Sequence, residues 1–149
     1  MFIEVLGPPE ALLRDTASDI DNASFAVRIV CGSISFVMTV DTFTERERLM
    51  ARNRMPIDGD ILKVAHHGIR NSSANEFISM VSPNVAIISA GVDNRFDHPH
   101  QETLGAFAQY LPESRIFVTK DHDSVTVTTD GKSLTVNSGR SPLDGFLVR

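Results

Sequence analysis

The 149-residue chain has a single cysteine, Cys31. One cysteine excludes an intrachain disulfide and any cysteine-rich zinc site, and it fits a reducing, cytoplasmic setting. Cys31 stands before Gly32 between two apolar runs, where a hairpin position is expected rather than a nucleophile. No apolar run approaches the ~18 residues of a membrane span. The start, Met1 to Pro9, has no basic segment, and its apolar stretch is too short for a signal peptide. Repeats, low-complexity tracts and linkers are missing as well, so residues 1–149 are expected to form one domain. Also missing is a lysine-rich patch, and the formal net charge is -5. A general nucleic-acid binder carries a basic field, because phosphate contacts dominate its affinity. Any phosphate chemistry here therefore has to rest on a local site or a bound metal.

What is present reads as globular, with 42% hydrophobic and 22% charged residues. A chain of this length buries roughly 68–70% of its unfolded surface. Residues 2–6 are a short apolar run stopped by Gly7-Pro8-Pro9, and 10–21 read as a loop or a single turn. Residues 25–30 and 34–40 are rich in β-branched and aromatic types around Cys31-Gly32-Ser33, which predicts a hairpin. A helix is expected over 44–53 with Thr42 or Thr44 as cap. A second runs to about 81 with Ser72 or Ser73 as cap, and a third covers about 100–110. The run Val85 to Ala90 is unbroken and apolar, as in a strand covered on both faces. Short strands are expected at 60–65, 115–118, 123–128 and 133–136, with a turn at Thr129-Asp130-Gly131-Lys132. The tail from 138 lacks periodicity and is expected to be loosely attached. Strands alternating with helices predict an α/β fold, a mixed β-sheet with packed helices.

The segment Asp60-Ile-Leu-Lys-Val-Ala-His66-His67-Gly68 concentrates the chemistry. Neighbouring strand residues point to opposite faces, so one imidazole would face a cleft and the other brace it from behind. A bend at Gly68 would instead let both converge. Imidazole is the commonest metal ligand and the usual acid or base near neutral pH. A polar strand end with two half-exposed histidines is the plainer alternative. Asp41 ends another strand, where it is a candidate metal ligand or a helix cap. The polar loop from Ser89 to His98 follows a third. Ligands of α/β sheets bind beyond the carboxyl ends of strands, and an aspartate with histidines suits zinc, manganese or iron. His100 is read as an exposed helix-start residue and His122 as a turn residue.

Three segments taken together carry a resemblance. They are Ser35-Phe-Val-Met-Thr-Val-Asp41, Asp60 to Gly68, and Val85-Ala-Ile-Ile-Ser-Ala-Gly-Val-Asp-Asn-Arg-Phe-Asp-His-Pro99. They resemble the metallo-β-lactamase fold, and in particular the C-terminal domain of ComEC-type competence DNA-uptake proteins. The likeness runs from Phe2 to about Gly131. It implies that the domain is equivalent to the C-terminal half of the αββα sandwich. It also implies Asp41 as a bridging metal ligand, His67 as a ligand of the second metal, and His66 and His98 as groups that face phosphate or assist proton transfer. Gly68, Ser73 and Asn94 would border the substrate. The implied cofactor is zinc or manganese, and the implied activity is phosphodiester hydrolysis on nucleic acid. The family's principal metal motif, His-x-His-x-Asp-His, is not in this sequence, whose first histidine is His66. The resemblance therefore implies an incomplete enzyme, completed by a partner chain or a second copy, or else a non-catalytic binding module. Val40, Ile69 and Asp97 replace the family's glycine, serine and glycine at three motif positions.

Overall fold

The computed structural model describes residues 1–140 and the backbone of 146–148. Six strands form the main sheet in chain order: β1 (Phe2–Gly7), β2 (Ala26–Cys31), β3 (Ile34–Thr39), β4 (Ile61–Lys63), β5 (Val85–Ile88) and β6 (Ile116–Val118). The pairs β1–β2 and β2–β3 are antiparallel, and β3 to β6 run parallel. The parallel half needs crossovers, which α2 (Thr44–Arg52), α3 (Asn75–Val81) and α4 (Gln101–Phe107) supply. The single turn α1 (Asp19–Asn22) precedes β2, and α5 (Thr119–His122) follows β6. A second, antiparallel sheet holds β7 (Val125–Thr129), β8 (Leu134–Ser138) and β9 (Phe146–Val148). The fold class is the expected one: α/β, a mixed sheet with packed helices.

Residues paired directly across strands share a face. The row Arg28, Val37, Leu62, Ala86, Ile116 faces the helices. There Val37, Leu62 and Ala86 join Met50, Phe77, Ile78 and Phe107 in the larger core. The opposite face carries Ile29, Phe36, Ile61, Val85 in one row and Val27, Met38, Lys63, Ile87, Phe117 in the next. The second sheet covers part of it, through Leu134 and Val136 against Ile34, Ile61, Val85 and Phe117. Cover fades toward β1. Val85 is fully buried, whereas Ile3 is 59% and Val5 65% exposed on the same face, and Phe25, Met38 and Val40 are partly exposed beside them.

Several expectations change in detail. The strand expected over 60–65 stops at Lys63, and a tight turn at Ala65–Gly68 replaces its end. Neither Thr42 nor Thr44 caps α2. The Asn22 side chain does so from a distance, its Oδ1 accepting the N–H groups of Phe43 and Arg46. Ser72 and Ser73 do not cap α3 either: the Glu47 carboxylate accepts the N–H groups of Ser73 and Ala74 at 2.9 and 2.7 Å. A carboxylate is drawn to a helix N-terminus by its unpaired donors and dipole, and Glu47 can reach α3 because α2 packs on it. The strand expected at 123–128 begins two residues later, at Val125, because α5 ends at His122 with Asp123 as its cap. The tail is not loosely attached where it is described, since 146–148 pair with β8; residues 141–145 and 149 lie outside the described residues.

Candidate functional site

The carboxyl ends of β3, β4 and β5 lie side by side, as parallel pairing requires. The Thr39 hydroxyl donates to the Lys63 carbonyl at 2.9 Å, and the Lys63 ammonium donates to the carbonyls of Thr39 and Val64. The chain then turns through three consecutive left-handed residues: His66 (φ 46°), His67 (φ 55°) and Gly68 (φ 81°). For the two histidines this costs about 1–3 kcal/mol each, a strain that clusters at functional sites. Gly68 is required. A Cβ there would stand 2.6 Å from Cβ of Pro99.

Because the bend begins at His66, neither histidine follows the alternation of a strand. The bend lets them converge, and the loop after β5 brings a third. Ring centres are 6.4 Å apart for His66–His67, 6.2 Å for His66–His98 and 6.3 Å for His67–His98. His67 places Nδ1 2.6 Å from the carbonyl of Ser89. A carbonyl only accepts, so Nδ1 carries a proton and, in the neutral ring, Nε2 keeps its lone pair, the state of a metal ligand braced by a backbone acceptor. Nδ1 of His66 is buried with no hydrogen-bond partner, while its ring packs on Phe43. His98 stacks against His67 on one side and Phe96 on the other. Burial first, then the nearby imidazoles of His100, His66 and His67, hold its pKa below the ordinary histidine value.

His100 is not merely an exposed helix start. It is partly buried, and its ring meets His98 edge-on at 4.9 Å. The Arg70 N–H donates to its Nδ1, which leaves the neutral ring with its proton on Nε2. Sequence reasoning passed over it because a histidine before a helix has no signature; only its spacing of two from His98 across Pro99 hinted at a shared loop. His122 stays apart, against Phe117.

The other expected residues are placed differently. Asp41 is held through its N–H by the Ser24 hydroxyl and lies within the electrostatic reach of Lys63. Ser73 is buried behind the site, its N–H on Glu47. Asn94 is engaged within its own loop, donating to the carbonyls of Gly91 and His98 and accepting the His98 N–H. Val40 is 43% exposed. Asp97 has φ 56°, a conformation that favours glycine and that aspartate tolerates better than most residues. Its replacement of a glycine is thus compatible with the loop. A cleft of about 480 Å³ opens beside His98 and His100; Arg70 and Lys120 line it together with Asp93, Asp97 and Glu102, and Arg70 pairs with Glu102 at 3.4 Å.

Among the described residues no three His, Cys, Asp or Glu side chains form a group able to hold a metal ion. A catalytic zinc takes three protein ligands. His67 suits a metal by its free Nε2, but the set as a whole does not complete a centre.

The chain is 42% identical over 96 residues to ComE operon protein 3 of Bacillus subtilis. Recombination protein 2 of Haemophilus influenzae is 32% identical over 111 residues, and competence protein ComA of Neisseria gonorrhoeae 32% over 82 residues. These matches cover 64%, 74% and 54% of this chain but only 12%, 13% and 12% of the relatives, so the chain spans about an eighth of their length. No protein-family model matches it, and no solved structure does.

Proposed function

We propose that this domain serves DNA uptake as the histidine-bearing half of a metal-dependent phosphodiesterase of the metallo-β-lactamase type. The observation that carries the reading is the left-handed His66-His67-Gly68 turn. It gathers three imidazoles at the carboxyl ends of parallel strands and leaves Nε2 of His67 free. Strained backbone and clustered imidazoles at that position are what chemistry requires and packing does not. His67 and Asp41 are the metal ligands in this reading, zinc or manganese the ion, and His66 and His98 the groups that contact phosphate or move a proton. The described donors are too few to hold the ion alone, so the remaining ligands come from a partner chain or another segment. The apolar face left open from β1 to β3 supports that completion, because uncovered faces of this kind mark interaction surfaces. With a net charge of -5, contact with DNA is local, at the cleft beside His98, where Arg70 and Lys120 stand among Asp93, Asp97 and Glu102. No helix among the described residues is long and apolar enough to cross a membrane.

The test is metal and substrate together. Zinc and manganese are titrated into the chain alone and into the chain mixed with a His-x-His-x-Asp-His-bearing segment of a relative. Hydrolysis of a phosphodiester and of single-stranded DNA is then followed. Hydrolysis that appears only in the mixture and is lost in His67→Ala supports the proposal. Absence of metal binding and hydrolysis in both samples overturns it. The shortage of metal donors favours a second reading, a non-catalytic DNA-binding module. DNA binding that ignores metal and survives His67→Ala would establish that instead.

A further inference from the structure

Gly68 ends the histidine turn, and its carbonyl is claimed twice from the loop and helix that follow His98. The His100 N–H donates to it at 2.9 Å, and so does the Thr103 hydroxyl, also at 2.9 Å. Thr103 shares that one proton with the Ile69 carbonyl at 3.0 Å. It is 2% exposed, in the first turn of α4. In the other direction the Arg70 N–H donates to Nδ1 of His100. Pro99 fills the space that a side chain at Gly68 would need. Two segments about thirty residues apart, each bearing histidines, are thus stitched edge to edge.

From this geometry we infer that Thr103 is the positioning residue of the histidine cluster: its buried hydroxyl locks the His66-His67-Gly68 turn against the loop carrying His98. The inference deepens the proposed function, since its importance for phosphodiester chemistry rests on that reading, but the lock itself does not. A left-handed turn of two non-glycine residues persists only when its surroundings over-determine it. Thr103→Val keeps the shape of threonine and removes the only O–H among the described residues that reaches both carbonyls. Gly68 then retains one donor, and the turn gains freedom to relax toward less strained angles. The Nδ1–H bond from His67 to Ser89 depends on the position of that turn, so it is the reporter.

Nitrogen-15 spectra of the imidazoles test this without requiring activity. In the unsubstituted protein His67 is expected as the Nδ1–H tautomer and His100 as the Nε2–H tautomer. A coupling across the hydrogen bond from the His100 N–H to the Gly68 carbonyl is expected as well. Thr103→Val is expected to shift His67 toward a mixture of tautomers and to lose the ring-to-ring nuclear Overhauser contacts between His67 and His98. Amide signals of β1 and β2 should not move. Thr103→Ser keeps the hydroxyl and is expected to restore the native imidazole spectrum. Native imidazole spectra in Thr103→Val overturn the inference, as does a Thr103→Ser protein that behaves like the valine variant. So does absence of the His100–Gly68 coupling in the unsubstituted protein, a result that does not depend on any variant folding. If the imidazole results hold while no hydrolysis is found with the completing segment, the lock stands and the proposed activity fails.

Discussion

The two ends of the six-stranded sheet are built on opposite terms. At one end the β2–β3 hairpin and the start of β4 are held by groups with partners. The Asp60 carboxylate accepts the N–H and O–H of Ser35 and the side-chain amide of Asn84. Arg28 pairs with Glu4 and Asp58 at 2.8 and 2.7 Å. Gly32 lies against Gly131, whose carbonyl accepts the Ser33 N–H and so ties the two sheets together. At the other end stand consecutive left-handed histidines and a buried imidazole nitrogen without a partner. Strain and unsatisfied groups at one end, balanced by satisfied polar contacts at the other, are the pattern of a scaffold that carries a site.

The largest effect should come from breaking the satisfied end. A Cβ on Gly32, at φ 62°, would stand 2.1 Å from the Gly131 carbonyl oxygen, which is backbone and cannot swing aside. Gly32→Ala is expected to destabilise by about 3–5 kcal/mol, read from urea unfolding.

Glu47 gives the next effect, and it depends on pH. Burial pushes its pKa up from 4.5 to about 7, against the two N–H groups it accepts. The folded pKa lies above the unfolded one, so the stability tied to this group is full below about pH 4.5. It is lost as pH rises through 7. The loss is on the order of 3 kcal/mol at most. Glu47→Gln cannot ionise, so its stability relative to the native chain should rise across that interval. Urea midpoints of both proteins at pH 5 and pH 8 measure the difference.

Asp60→Ala strands the Ser35 N–H and the Asn84 amide at the satisfied end. A loss of roughly 2 kcal/mol is expected. The imidazole spectra of His66, His67 and His98 should stay native, and any change in them would mean that the two ends are coupled. The smallest effect sharpens the contrast. Asparagine tolerates left-handed angles better than histidine, so His66→Asn should leave stability unchanged or raise it by up to ~1 kcal/mol. A clear loss in thermal unfolding would show that His66 is there for packing on Phe43, not for chemistry.

Much of this was legible in the sequence. The β-branched runs on either side of Cys31-Gly32-Ser33 gave a hairpin, and the apolar run from Val85 gave a strand buried on both faces. His66, His67 and His98 were picked out by their position at strand ends, and they do converge. Local pattern was enough to put them near strand ends, because apolar runs of strand length are a property of the chain itself; their convergence comes from the left-handed turn. Local pattern was not enough for the caps. Asn22 and Glu47 reach their helices over twenty or more residues, and no local motif marks them. Nor could it show His100, whose place beside His98 depends on how the loop folds back onto Gly68. Ser73 and Asn94 had suitable side chains in suitable segments, yet the fold turned one inward and engaged the other in its own loop.

By itself, then, the sequence determined the α/β alternation, the hairpins and the histidines at the strand ends, since these follow from side-chain type and period. Only the tertiary structure decided that the strand breaks at Lys63 into a left-handed turn, which imidazole nitrogens stay free, and that Thr103 locks the turn in place. Those depend on carbonyls and donors brought together from distant segments, and a hydrogen bond between distant residues leaves no period in the chain.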